Sequence, residues 1–251
     1  LRAEQLTSKE KSIANFVANN FGITLKGIRF GLHSANFIHR TLGTSNMEAF
    51  TKTMRDLSKN KLAKWSVYMP KGTNINLNFE QQVKDKKVVY FPSCISRTMG
   101  LNDMSKEEKE LFEVTIEVLQ KAGYQIIFPQ NLSNLCCGMP FSSKGFNDAA
   151  HTKSRQLEEA LLNASEFGEY PILCDTSPCT KKIMESFSHK LSIYEPIEFA
   201  LEFLTKDLEF TPIDEPITIH TTCSSRKMGL EDKFKKLANL CSTNVIVPAD
   251  V

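Results

Sequence analysis

Two stretches of this chain repeat each other, and that repeat restricts the possible folds more than any other feature of the sequence. VVYFPSCISRTMGL at 88–101 and ITIHTTCSSRKMGL at 217–230 align without a gap, pairing Cys94 with Cys223, Ser96 with Ser225, Arg97 with Arg226 and Met99-Gly100-Leu101 with Met228-Gly229-Leu230. Each copy opens on a β-branched and aromatic run and places a cysteine in the turn just beyond it. It then passes through a helical stretch to a second apolar run that ends in proline, at Pro129 or Pro248. The unit is therefore strand, cysteine turn, helix, strand.

The rest of the carboxyl-terminal region keeps this alternation. Further short apolar runs are YQIIF at 124–128, YPILC at 170–174, SIY at 192–194 and NVIV at 244–247. Helical stretches separate them over roughly 148–166, 179–189, 196–205 and 230–241. One more begins at the box Ser105-Lys106-Glu107-Glu108 and runs to Gly123. Alternation of this length implies an α/β fold, a parallel, Rossmann-like sheet covered by helices on both faces.

The amino-terminal part reads differently. Thr7-Ser8-Lys9-Glu10 is a capping box followed by Ile13, Phe16 and Val17 at helical spacing. The periodicity recurs over 24–42 and 46–58, with Gly22, Gly27, Gly31 and Gly43 as expected breaks and Thr44, Ser45 or Asn46 as a cap. Residues 70–87 turn polar, with Gly72, three Asn and the run KDKK, the composition of an exposed connection. The expected organisation is a helical region at 1–70, a linker at 71–87 and a cysteine-rich α/β domain at 88–251.

Composition excludes several classes. The net charge is +2, with Lys and Arg interspersed among Asp and Glu, so no polyanion-binding surface and no nucleic-acid partner is indicated. No apolar run reaches the length of a transmembrane helix. The chain starts at Leu1 without Met or a signal sequence, which reads as a segment cut from a longer protein. Its second repeat stops at Val251, shortly after Pro248, and reads as truncated.

Seven cysteines, an odd number that includes the adjacent Cys136 and Cys137, suit a metal better than a disulfide framework and point to a reducing, cytoplasmic compartment. On a parallel sheet Cys94 follows the first strand, Cys136 and Cys137 the second, Cys174 and Cys179 the third, and Cys223 the fifth. The carboxyl ends of parallel strands share one edge, so these thiols are expected to converge there. Crowded thiolates need a cation, and soft sulfur selects iron-sulfur clusters or zinc over hard ions. Cys241, in a helical stretch, reads as a small buried hydrophobe. Gly138, after the cysteine pair, suits either a turn aiming backbone N–H groups at cluster sulfur or a plain turn. Arg97 and Arg226, three residues after each opening cysteine, either offset cluster charge or cap helix carbonyls. His33, His39 and His220 read as structural, and KNKLAK as a solvated helix end.

Cys94, CCG at 136–138 and CDTSPC at 174–179, followed by a second copy from Cys223, resemble the cysteine-rich CCG domain. That domain occurs in the B-type subunits of heterodisulfide reductases and in glycolate oxidase iron-sulfur subunits. With FGLHSANFIHRTLGT, VYFPSC, SRTMG and DTSPC, nearly the whole chain is similar to the carboxyl-terminal part of FAD-linked D-lactate dehydrogenases. The resemblance implies a 4Fe-4S-type cluster on Cys94, Cys136, Cys137 and Cys179, with Cys223 opening a second site. The family pattern ends in Cys-x-x-Cys; here Thr176 stands at the first of those positions and Cys174 lies two residues earlier. The resemblance further implies an FAD domain and ferredoxin-type clusters elsewhere in the parent protein. Electrons from a D-2-hydroxy acid would pass to a quinone or carrier, with the protein cytoplasmic or peripheral at the inner membrane face. A heterodisulfide-type thiol module and a structural zinc module are the alternatives.

Overall fold

The computed structural model describes residues 3–73, 75, 77, 79, 81 and 83–248. Part of the expected polar linker, at 74, 76, 78, 80 and 82, and the expected break after Pro248 lie outside the described residues. The chain divides into two compact units, one drawn from 1–21, 80–93 and 116–251 and the other from 22–79 and 94–115.

The chain opens with α1 (Ser8–Asn19), α2 (Phe21–Leu42) and α3 (Thr44–Leu57). The capping box forms as read: the Glu10 amide donates to Thr7 Oγ1 at 3.3 Å and the Thr7 amide donates to Glu10 Oε2 at 2.8 Å. Gly22, Gly27 and Gly31 do not break α2. Each costs a helix about 1 kcal/mol relative to alanine, which burial of neighbours such as Phe21 and Leu25 outweighs. A real break falls at Gly43, whose φ of 78° ends α2; Gly43, not Thr44, Ser45 or Asn46, caps α3. In the second unit Trp65 is buried against His39, ring centroids 4.5 Å apart, while Lys71 and Arg40 pair with Asp103.

The first unit is built on a four-stranded parallel sheet of β1 (Lys86–Phe91), β2 (Tyr124–Ile127), β3 (Ile172–Cys174) and β4 (Ile193–Tyr194), in the order β2-β1-β3-β4. Val88, Val89, Tyr90 and Phe91 are wholly buried, as expected for a central parallel strand covered on both faces. Register aligns Val89 with both Ile127 and Ile172, and Phe91 with Cys174, so three strands end close together.

Helices fill the intervals: α4 (Leu111–Lys121), α5 (Met139–Ser142), α6 (Asn147–Ala164), α7 (Ser177–Ser186), α8 (Pro196–Glu202), α9 (Cys223–Lys227) and α10 (Glu231–Cys241). The expected start of α4 at Ser105 is wrong: the Ser105 hydroxyl accepts the Glu107 amide in a local turn, and the helix begins six residues later. Among the described residues no helix is long and apolar enough to cross a membrane.

The last two strands, β5 (Ile217–Thr218) and β6 (Val245–Ile246), form a separate parallel pair rather than joining the main sheet. The repeat explains this: β5 and β6 pair as β1 and β2 do, so the second copy rebuilds the opening of the first. Cys223 therefore does not lie at the edge of the four-stranded sheet.

Candidate functional site

Three segments carry four cysteines into the core of the first unit. Cys174 is the last residue of β3. Cys136 and Cys137 follow β2 and a short turn at Leu132–Asn134, and Cys179 sits in the first turn of α7 behind Pro178. Each is at most 8 % exposed, and Cys137, Cys174 and Cys179 share an apolar cluster with Phe91, Leu135, Leu157, Ile172 and Ile183.

The sulfurs form a hydrogen-bonded chain. Cys137 S–H donates to Cys179 Sγ at 3.2 Å, Cys137 also meets Cys136, and Cys174 meets Cys179. These donors hold the Cys179 thiol down at about 4, against an ordinary 9.0, with Cys137 the largest cause and Cys174 next. The partners move the other way. Hydrogen bonds to Cys136 and Cys179, then burial, push Cys137 up; the hydrogen bond to Cys179, then burial, does the same to Cys174. One thiolate is thus stabilised by thiols that stay protonated around it.

The turn at Gly138 matches the sequence reading. Its φ is 85°, a Cβ there would meet the Ala150 carbonyl oxygen at 2.6 Å, and its amide donates to Cys136 Sγ at 3.4 Å. Both the left-handed backbone and the close approach require glycine.

Asp175 carries no sequence signal beyond its position inside CDTSPC, and the sequence reading passes over it. Buried, it accepts from the Ser93 amide at 2.8 Å, the Tyr90 hydroxyl at 3.1 Å and the Thr176 hydroxyl at 3.1 Å, tying the end of β1 to the turn between β3 and α7. Thr176 occupies the position expected for a cysteine, and its carbonyl oxygen lies 3.9 Å from Cys174 Sγ.

The remaining expected residues are placed differently. Cys94 is buried in the second unit, directly after Ser93. Arg97, also in that unit, is buried. Cys223 is exposed at the start of α9, and Arg226 bonds Thr221 and lies 3.7 Å from Glu231. A hydroxyl relay nevertheless links α9 to α7: Thr222 meets Ser225, Ser225 donates to Ser177, and Ser177 donates to Glu195. Burial raises the Glu195 carboxyl.

None of the seven cysteines is in a disulfide. Among the described residues no group of three or more His, Cys, Asp or Glu is arranged to hold a metal ion as it stands. Tetrahedral zinc thiolates, with Zn–S near 2.3 Å, set their sulfurs about 3.8 Å apart, wider than the 3.2 Å between Cys137 and Cys179. In kind, though, four buried sulfurs from three segments fit the preference of soft metals for thiolate, and a metal would require them to move apart.

Residues 88–183 match the model of the family described as CCG, cysteine-rich domain; this segment is a cysteine-rich CCG domain. The C subunit of anaerobic glycerol-3-phosphate dehydrogenase from Escherichia coli (strain K12) is 25% identical over 162 residues, 60% of this chain and 38% of that protein. Lactate utilization protein A of Bacillus cereus (strain G9842) is 27% identical over 158 residues, 58% of this chain and 61% of that protein. The chain thus spans less than two thirds of these relatives. No solved structure matches it.

Proposed function

From the CCG domain at residues 88–183, we propose that this chain holds an iron-sulfur centre and is the electron-transfer portion of a flavin-dependent oxidoreductase acting on a D-2-hydroxy acid such as D-lactate. One observation carries the reading: Cys136, Cys137, Cys174 and Cys179 touch in series inside an apolar core. Cys136, Cys137, Cys174 and Cys179 act as ligands, with Cys223 opening a second site. The Gly138 amide, already on Cys136 Sγ, fixes that sulfur and withdraws charge from it. The Leu, Ile and Phe side chains around the thiols exclude water, and Arg97 and Arg226 offset negative charge. A bound iron-sulfur centre supplies one-electron transfer at a potential set by these surroundings.

The names of the relatives, a dehydrogenase subunit and a lactate utilization protein, support a redox role. In this reading a flavin site and ferredoxin-type clusters deliver the electrons, a quinone or carrier takes them, and the chain works in the cytoplasm or at the inner membrane face. Anaerobic loading with iron and sulfide, followed by iron, sulfide and zinc analysis and visible absorption, tests it. Coloured protein containing iron and sulfide is expected; colourless protein with stoichiometric zinc would overturn the reading.

The 3.2 Å contact between Cys137 and Cys179 favours a second reading, a thiol-disulfide site. There the Cys179 thiolate and Cys137 thiol form an S–S bond. Two electrons and one proton pass to an acceptor disulfide, which leaves as a thiol and a thiolate. A metal-free redox titration that yields a reversible Cys137–Cys179 crosslink would support it.

A further inference from the structure

A cavity of about 740 Å³ lies between α6 and α7, within the size range of small-molecule sites. No cysteine lines it. Its lining includes Ser154 and Glu158, both buried, and three basic side chains: His151 and Arg155, one turn apart on α6, and Lys182 on α7. Among the described residues neither Arg155 nor Lys182 has a carboxylate within ion-pair distance.

Two carboxylates and a further histidine also face this space. Glu158 is already engaged: its Oε1 accepts from the Ser188 and His189 amides at 2.6 and 2.8 Å and from His189 Nδ1 at 2.9 Å. Those bonds hold its carboxyl below the usual range, so its charge is spent on the turn after α7. Glu159 is exposed. The uncommitted groups at this wall are therefore mainly cationic.

We infer that this cavity binds a small organic oxyanion, a phosphate- or carboxylate-bearing molecule, through Arg155 and Lys182. A guanidinium presents a planar fork that matches two oxyanion oxygens, and the ammonium adds a mobile point charge from the facing helix. Lys182 lies three residues after Cys179 on α7, and Ala150, which lines the cavity, places its carbonyl against Gly138. A ligand here would border the helix that carries Cys179, about one turn or 5 Å along its axis.

The test is calorimetric titration of the whole chain, at low ionic strength, with inorganic phosphate and separately with lactate. Saturable binding of at least one is expected, and which one binds distinguishes a phosphate from a carboxylate ligand. Arg155→Gln with Lys182→Gln should weaken it by more than about tenfold while leaving the unfolding midpoint unchanged. A control of equal charge change on α10, Lys235→Gln with Lys236→Gln, should leave it intact. No saturable binding of either anion, or equal loss in the control, would overturn the assignment.

Discussion

The two copies of the repeat share a strand, a cysteine and an arginine at matching positions, yet they sit in different surroundings. β1 lies between β2 and β3 with four residues wholly buried; β5 pairs with β6, and of its residues Ile217 is half-buried and Thr218 exposed. Cys94 is buried, whereas Cys223 is exposed. The Cys-Cys-Gly turn and the Cys-Asp-Thr-Ser-Pro-Cys turn follow the first copy, at 136–138 and 174–179. The repeated segment therefore makes a strand and a turn, and the loops beyond β2 and β3 make the thiol centre.

The largest expected effect separates the copies outright. Cys137→Ser or Cys179→Ser should abolish iron and sulfide uptake, whereas Cys223→Ser should leave the content of the first site unchanged. Equal loss in all three would break the comparison. Next comes glycine. Gly138→Ala places a methyl 2.6 Å from a backbone oxygen at positive φ and should cost about 3 kcal/mol. Gly229→Ala, at φ 70° with nothing within 4 Å, should cost about 1 kcal/mol, both read by denaturant unfolding.

Asp175→Asn turns one of two accepting oxygens into an NH2 donor, which faces either the Tyr90 hydroxyl or the Ser93 amide, and should cost about 2–3 kcal/mol. In the second copy Thr222→Ala removes the cap on the Ser225 amide and the contact with the Ser225 hydroxyl, about 1 kcal/mol. Asp175→Asn should also slow metal loading, and Thr222→Ala should not.

A pH slope sharpens the comparison further. The Cys179 thiol is at about 4 in the folded chain and near 9.0 when unfolded, so between those values the unfolded state binds the extra proton and stability rises with pH. Cys137 and Cys174 are raised, so above about pH 9 the unfolded state loses protons first and stability falls again. The difference between parent and Cys179→Ser unfolding curves should show the rise.

Much of this architecture was legible in the residues, and the reasons are local. Thr7 and Glu10 satisfy each other within one turn, and the β-branched runs mark all six strands within a residue or two. Parallel strands ending together put Cys94, Cys136, Cys137, Cys174, Cys179 and Cys223 at one sheet edge in the sequence reading, and Cys137 and Cys179 lie 3.2 Å apart. The features that escaped depend on partners far along the chain. Asp175 looks like any turn aspartate until Tyr90 and Ser93 arrive from β1. Gly27 and Gly31 look like helix breakers because propensity ignores the packing of their neighbours. Cys223 was placed with the other thiols on the assumption of one continuous sheet, which the β5-β6 pair replaces.

The central claim, that sulfurs from three chain segments take one soft metal centre, is tested most directly by X-ray absorption at the iron edge of anaerobically loaded protein. The account expects iron surrounded by sulfur with an iron neighbour, a signal absent from Cys179→Ser and retained in Cys223→Ser. An oxygen or nitrogen shell, or a sulfur shell that persists without Cys179, would contradict it.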